Sequence, residues 1–155
     1  ESTVADAFLS HAGRSLESCL AAGCFEQVLV ECVEPKLGGE RPTLLTEYPL
    51  ACSGLSRPIP GCPDKVERWE LYVCGLELGN ACTELVDPEE QEQRFEQCAQ
   101  LRASEGRPIY PMDQKFMNAL WLGLPGAAGI AIGLDRLAMI LGNCDSIDDV
   151  VPFTE

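Results

Sequence analysis

Glycine and alanine take alternate positions in the run Gly129-Ile130-Ala131-Ile132-Gly133-Leu134-Asp135-Arg136. On a strand, that spacing puts Gly129, Ala131 and Gly133 on one face and Ile130, Ile132 and Leu134 on the other. The apolar face is expected to pack into a core. The small face leaves room for a flat ligand to lie against the backbone. The pattern then changes to a helical period that runs to Gly142, so Arg136 falls in the first turn of a helix. A helix N-terminus attracts anions, and a guanidinium there can fork two phosphate oxygens. The plainer reading is a buried strand followed by an arginine paired to a surface acid. Small-residue strands are common, and the pattern by itself favours that reading.

The second chemical feature is Glu77-Leu78-Gly79-Asn80-Ala81-Cys82-Thr83-Glu84. Two carboxylates could hold magnesium on a nucleotide, since magnesium takes hard oxygen ligands and keeps waters and phosphates. They could equally bind an ammonium group. Glu77 and Glu84 are an odd number of residues apart, so one unbroken strand would point them to opposite faces. Convergence needs a break, and Gly79-Asn80 is where a bulge or turn is expected. The plainer reading is two solvated acids on an edge strand, in a chain with 25 Asp and Glu.

These features must be carried by a small fold. The chain has 155 residues, 46% of them hydrophobic, enough for one domain with a buried core. Eleven Lys and Arg against 25 acids give a formal charge of −14. That balance argues against nucleic acid or an anionic membrane as the main partner. No apolar run approaches a bilayer span and no secretory signal opens the chain, which reads as cytoplasmic. It starts at Glu1, without an initiator Met, as a processed chain or a cut piece would. The nine cysteines (19, 24, 32, 52, 62, 74, 82, 98 and 144) are irregularly spaced with no Cys-x-x-Cys pair, and His11 is the only histidine. They read as reduced thiols, mostly small core residues, with neither a metal nor a disulfide role.

Helices are expected at Thr3 to Leu9 and Phe25 to Val33, the latter ended by Glu34-Pro35. Thr43 to Thr46 reads as a short strand and Tyr48 to Pro63, with its prolines and glycines, as a loop. Trp69 to Cys74 and Leu76 to Leu78 read as strands joined at Gly75. Trp69 and Tyr72 are expected in the core and at its rim, and His11 on the surface without a role. Asp87-Pro88-Glu89-Glu90 starts a helix, with Asp87 as cap and Glu90 completing a capping-box pattern. That helix is expected to run to Ser104, mostly solvated, and another to cover Asp113 to Leu122. Strands first and helices after give an α+β fold with an antiparallel sheet flanked by helices.

In this order, the two chemical features resemble the class II aminoacyl-tRNA synthetases. Gly129-Ile-Ala-Ile-Gly133-Leu-Asp-Arg136-Leu resembles their third signature motif. Glu77-Leu-Gly-Asn80-x-x-x-Glu84-Leu85, followed by Asp87, Gln91, Gln93-Arg94-Phe95 and Glu96, resembles the lysyl-tRNA synthetase branch. Within that branch the chain is most similar to the short relatives that modify elongation factor P. Gly106-Arg107-Pro108, Pro111-x-Asp113-Gln114, Asp145-Ser146-Ile147-x-x-Val150, Val33-Glu34-Pro35-x-Leu37-Gly38, and Arg41-Pro42-Thr43-Leu44 through Tyr48-Pro49 fit the same branch.

The resemblance implies a ligase that joins lysine or β-lysine to an acceptor through an aminoacyl-adenylate, using ATP and Mg2+. It implies that Glu77 and Leu78 contact ATP, with Glu77 on the metal. Glu84 would face the substrate amine or share the metal, and Asn80 would orient the amino acid. Gly129 and Ala131 would line the substrate site, Gly133 would lie under the nucleoside, and Arg136, the catalytic residue, would bind the ATP phosphates. Ala131 stands where lysyl-tRNA synthetases carry Gly and the elongation factor P ligases carry Ala, so elongation factor P is the expected acceptor and tRNA the alternative. Ala81-Cys82 stands where both groups carry Gly-Phe, which removes an aromatic wall beside the substrate. The first and second signature motifs do not occur. Residues 1–155 therefore read as the C-terminal part of a class II catalytic domain, inactive alone, with the full-length protein a homodimer. A third reading is a non-catalytic paralogue that binds an amino acid or a partner.

Overall fold

The computed structural model describes residues 1–153. The fold is α+β, as expected, on a six-stranded sheet. Its strands are β1 (Ser2–Thr3), β2 (Thr43–Pro49), β3 (Pro58–Ile59), β4 (Cys62–Val73), β5 (Leu76–Thr83) and β6 (Ala128–Ile132). They are ordered β1-β2-β4-β5-β6, with β3 on β4. The β3–β4 pair is antiparallel. The edge pair β1–β2 is parallel, with Ser2 opposite Leu45 and Thr3 opposite Thr46. The chain divides into two compact units. One holds Glu1–Tyr48, Arg68–Ala81 and the stretch from Ile130 onward; the other holds Pro49–Glu67 and Cys82–Gly129.

The first unit opens with α1 (Val4–Ala7), capped by Thr3, whose hydroxyl accepts from the Asp6 amide at 3.1 Å. A wider turn continues it to Ala12. The short helix α2 (Leu16–Ala21), capped by Ser15, escapes the periodicity reading because a single turn and a half offers only Leu16 and Cys19 as buried positions. The helix expected from Phe25 is α3 (Phe25–Val28), continued by a wide turn over Leu29–Val33. Phe8 and Phe25 stack at 5.2 Å and hold these segments together over a core that includes Val4, Val33 and Leu45. The helix α6 (Leu134–Gly142) follows β6 directly, with Gly133 as its N-cap.

Gly38 fixes how closely the chain before β2 approaches β4. Its φ is +70°, and a Cβ there would lie 2.5 Å from the Tyr72 carbonyl oxygen. Alanine would meet both a left-handed backbone and a backbone clash. Gly38→Ala is therefore expected to destabilise by about 2–3 kcal/mol. A urea denaturation midpoint that does not move would contradict this.

In the second unit, α4 (Pro88–Ser104) starts where the sequence places it. The Asp87 carboxylate accepts from the amides of Glu89 and Glu90 at 2.9 and 3.1 Å. Glu90 pairs with Arg94 one turn on. Gln91 is the buried residue of this helix, so the helix is largely solvated, as expected. Next, α5 (Gln114–Trp121) is capped by Asp113 and followed by Gly123 at φ +93°.

Four expectations are corrected. The stretch from Tyr48 to Pro63 is not one loop: it holds the end of β2, a short turn at Leu50–Cys52, β3 and the start of β4. Pro49, Pro58 and Pro63 sit at strand ends, where a missing amide is tolerated, and Pro60 lies in the turn between β3 and β4. Arg94 donates to the carbonyls of Ser53 and Ser56 at 3.2 and 2.8 Å, and Gln91 to that of Gly54 at 3.2 Å, so α4 supplies bonds that a ladder would otherwise make. Second, β5 continues through Gly79-Asn80 as one strand to Thr83, so the expected break there is absent. Third, Ile130, Ile132 and Leu134 do not pack into a core; they are 52%, 52% and 73% exposed. β6 is the last strand in the sheet order, with β5 as its neighbour. Fourth, Cys19 is the one buried cysteine; Cys62, Cys74 and Cys98 are exposed and the rest half-buried. All nine are free thiols. Among the described residues no helix is long and apolar enough to cross a membrane.

Candidate functional site

Most of the sequence-derived site falls in the first unit, where β5 meets the start of α6. The Gly133 amide donates to the Leu78 carbonyl at 2.9 Å, which fixes the N-terminus of α6 to β5. Arg136 then reaches back over the strand. Its Nη1 donates to the Glu77 carbonyl at 2.6 Å and lies 3.5 Å from the Glu77 carboxylate. Both side chains are part-exposed, at 47% and 34%. Gly133 has no side chain to cap the first turn of α6, so the helix end keeps its attraction for anions. A Cβ on Gly133 would sit 3.4 Å from the Arg136 Cδ, in the space the guanidinium stem occupies. Gly79 plays a similar part on β5: its Cβ would lie 3.3 Å from the Ala131 carbonyl, so a side chain there would press on β6. Leu78 is 9% exposed, its side chain in the core.

Asn80 also belongs to this unit and is tied to a buried network that the sequence reading missed. The Glu70 carboxylate accepts from Asn80 Nδ2 at 2.8 Å, from Arg68 Nη2 at 2.6 Å, from the Tyr72 hydroxyl at 2.7 Å and from the Tyr48 hydroxyl. The Tyr72 hydroxyl also lies 3.1 Å from a Glu34 oxygen, so one phenolic proton faces two carboxylates. The Arg68 guanidinium stacks on the Tyr48 ring at 4.5 Å. The signal was present: Arg68, Glu70 and Tyr72 alternate with Trp69, Leu71 and Val73, so β4 has a polar face. A polar face usually reads as solvated, and here it is buried. The Asn80 amide nitrogen is thus held by Glu70.

Burial pushes the Tyr48 and Tyr72 hydroxyls far above the ordinary tyrosine range. The Glu70 charge adds to this at Tyr48, and the neighbours Tyr48 and Glu70 add to it at Tyr72. Burial also raises Glu34, reinforced by the charges of Glu70 and Glu77 and opposed by the Tyr72 hydrogen bond. Above about pH 10 the unfolded chain loses tyrosine protons that the folded chain keeps, so folding stability falls as pH rises. The expected slope is about 1.4 kcal/mol per pH unit for each of the two tyrosines. Denaturation at rising alkaline pH reads it directly. Tyr48→Phe is expected to halve the slope, and an unchanged slope would contradict the assignment.

Glu84 and Gly129 lie in the second unit. Glu84 follows the end of β5, bridges to Ser56 and donates its amide to the Ala127 carbonyl at 2.9 Å. A Cβ on Gly129 would lie 3.4 Å from Glu84 Oε1, so the glycine leaves that carboxylate room. Among the described residues no three His, Cys, Asp or Glu side chains come together to hold a metal ion.

Residues 26–155 match the family model described as tRNA synthetases class II (D, K and N). The chain belongs to the class II tRNA synthetases. It is 40% identical to the lysine–tRNA ligase of Chloroflexus aurantiacus over 128 residues, 83% of this chain and 26% of that protein. It is 42% identical to the elongation factor P–(R)-β-lysine ligase of Salmonella dublin over 122 residues, 79% of this chain and 38% of that protein. The Salmonella paratyphi B enzyme of the same name gives the same figures. The relatives of this class II synthetase chain are thus lysine-type ligases, and it spans a quarter to two-fifths of their length. The α+β sheet is that of a class II synthetase domain, and the two chemical features of the sequence fall within the matched residues.

Proposed function

We propose that this chain is the C-terminal part of the catalytic domain of an ATP-dependent lysine-type ligase, acting through an aminoacyl-adenylate, with a lysine of elongation factor P as acceptor. The observation that supports it best is Arg136. It is pinned by one nitrogen to β5, beside a helix end that no side chain caps and a carboxylate, Glu77. The remaining guanidinium edge can donate to phosphate oxygens as negative charge builds on them in the transition state.

The residues fit ATP and Mg2+ in donor chemistry and in shape. Gly133 keeps the floor beside Arg136 free of a side chain, and Gly129 does the same beside Glu84. Magnesium takes one or two carboxylates and fills its shell with waters and phosphates, so Glu77 would suffice by itself; with β5 unbroken through Gly79-Asn80, Glu84 is given no share of the ion. When bound, the ion supplies charge neutralisation at the phosphates. Leu78 supports the nucleotide site through Gly133, which it holds by its carbonyl. The Asn80 carbonyl orients the substrate amine and Ala131 lines the amino-acid site. Ala131 and the charge of −14 favour a protein acceptor over tRNA. The lysine–tRNA ligase of Chloroflexus keeps the tRNA reading as the second one. The full-length protein is taken to work in the cytoplasm as a homodimer.

ATP–pyrophosphate exchange by the full-length protein with α-lysine and (R)-β-lysine tests the adenylate step. Transfer of the labelled amino acid to elongation factor P or to tRNA then decides the acceptor. Exchange with neither isomer would sink the reading and favour a non-catalytic binding paralogue. The 155 residues alone are expected to give no adenylate; a measurable amount would refute the assignment of half a catalytic domain.

A further inference from the structure

The last strand of the sheet has one edge still to pair. β6 (Ala128–Ile132) has β5 on one side, and among the described residues no strand pairs with its other side. The bonds to β5 show which backbone groups are left. The Gly133 amide donates to the Leu78 carbonyl and the Glu84 amide to the Ala127 carbonyl, so the two strands run antiparallel in one register. The odd-numbered residues of this stretch therefore turn their backbone groups toward β5. The N–H and C=O of Ala128, Ile130 and Ile132 point the other way, out of the sheet.

Nothing in the strand blunts this edge. Natural edges are protected by proline, by lysine or by other charged side chains. β6 reads Ala-Gly-Ile-Ala-Ile, and all its residues are exposed. It lies within Phe116 to Leu134, the longest run of the sequence without a charged residue.

Charge and register select the occupant. At a formal charge of −14, two copies of the chain repel each other over most of their surface, and an uncharged edge is where they can approach. The strand is also complementary to itself. Turned about a two-fold axis at Ile130, it meets its copy antiparallel, with Ile130 opposite Ile130 and Ala128 opposite Ile132. These are the positions whose backbone groups point outward, so each opposed pair can exchange both of its bonds. Their side chains share one face of the strand. Ile130 and Ile132, each 52% exposed, would meet their counterparts beside the axis and leave water. We infer that a second copy of this chain occupies the free edge of β6 and joins two six-stranded sheets into one. The inference does not depend on the ligase reading.

The test is sedimentation velocity of the 155-residue chain over a range of concentrations. A species near twice 16.8 kDa is expected to grow as concentration rises. Added salt should strengthen it, because screening weakens the repulsion and the contact holds no ion pair to lose. Ile130→Pro deletes an amide that makes no bond to β5, so the sheet keeps its register while the bonds across the axis at this residue are lost. Ile130→Lys sets two ammonium groups opposite each other. Each is expected to raise the dimer dissociation constant by about 10-fold or more, with the circular dichroism unchanged. Leu9→Ser, at an exposed leucine in the turn after α1, should leave the constant where it was. A monomer at every concentration would overturn the inference, and so would a dimer that both Ile130 variants leave intact. Protection of the Ile130 and Ile132 amides from hydrogen exchange in a monomeric full-length protein would overturn it too, since another strand of the same chain would then hold the edge.

Discussion

Glu70→Ala is expected to lower the unfolding free energy of the intact protein by about 3–5 kcal/mol, the usual cost of breaking a buried charge network by removing one partner. The carboxylate is 4% exposed and serves four donors, from Tyr48, Arg68, Tyr72 and Asn80. Alanine removes the acceptor from all four at once and leaves a cavity. Glu70→Gln keeps the volume and one oxygen but turns an amide toward two of the donors, so about half the loss is expected. Urea denaturation reads both. The double variant with Tyr48→Phe separates the terms: the two changes should be clearly less than additive, because they remove the same hydrogen bond. A loss below about 1 kcal/mol for Glu70→Ala would mean that water or neighbouring side chains replace the carboxylate.

Arg136→Ala is expected to cut pyrophosphate exchange by about 10²–10³-fold while leaving stability nearly unchanged. The separation follows from its surroundings. Its side chain is 47% exposed and its ion pair with Glu77 is long, at 3.5 Å, so the pair adds little to folding. In the proposed role its value lies in the forked donors it would offer a phosphate. Arg136→Lys keeps the charge without the fork and should recover only part of the rate. A drop of less than tenfold for alanine would remove Arg136 from the phosphate site and, with it, the main support for the ligase reading.

Much of this could be read from the sequence because the signals are local. Asp87 and Asp113 cap their helices with a carboxylate two and three residues from the amides they hold. The change of period at Gly133 marks where β6 ends and α6 begins. The misses share a different cause. Whether the polar face of β4 meets water or Tyr48 is decided by a strand that lies more than twenty residues earlier. Whether Ile130 and Ile132 are covered depends on what packs against the last strand of a sheet, not on the strand's own alternation. The loop from Tyr48 to Pro63 was misread for the same reason, since Arg94 and Gln91 hold it from a helix far along the chain. For the site, the sequence offered Glu77, Asn80, Glu84 and Arg136 by motif, but not Glu70, which matches no motif and acts through its burial.

The two-residue turn at Cys74–Gly75 has a consequence for the order in which the chain assembles. A hairpin closed by so short a connection pairs within about 1–10 μs, whereas joining Ser2 to Leu45 must first close a long loop. The hairpin of β4 and β5 therefore offers the earliest template for the sheet, and Glu70, Glu77 and Asn80 all ride on it. Mutations in this hairpin should slow refolding, while changes in β1 should act mainly on unfolding. The strands that carry the candidate chemistry would then also nucleate the fold.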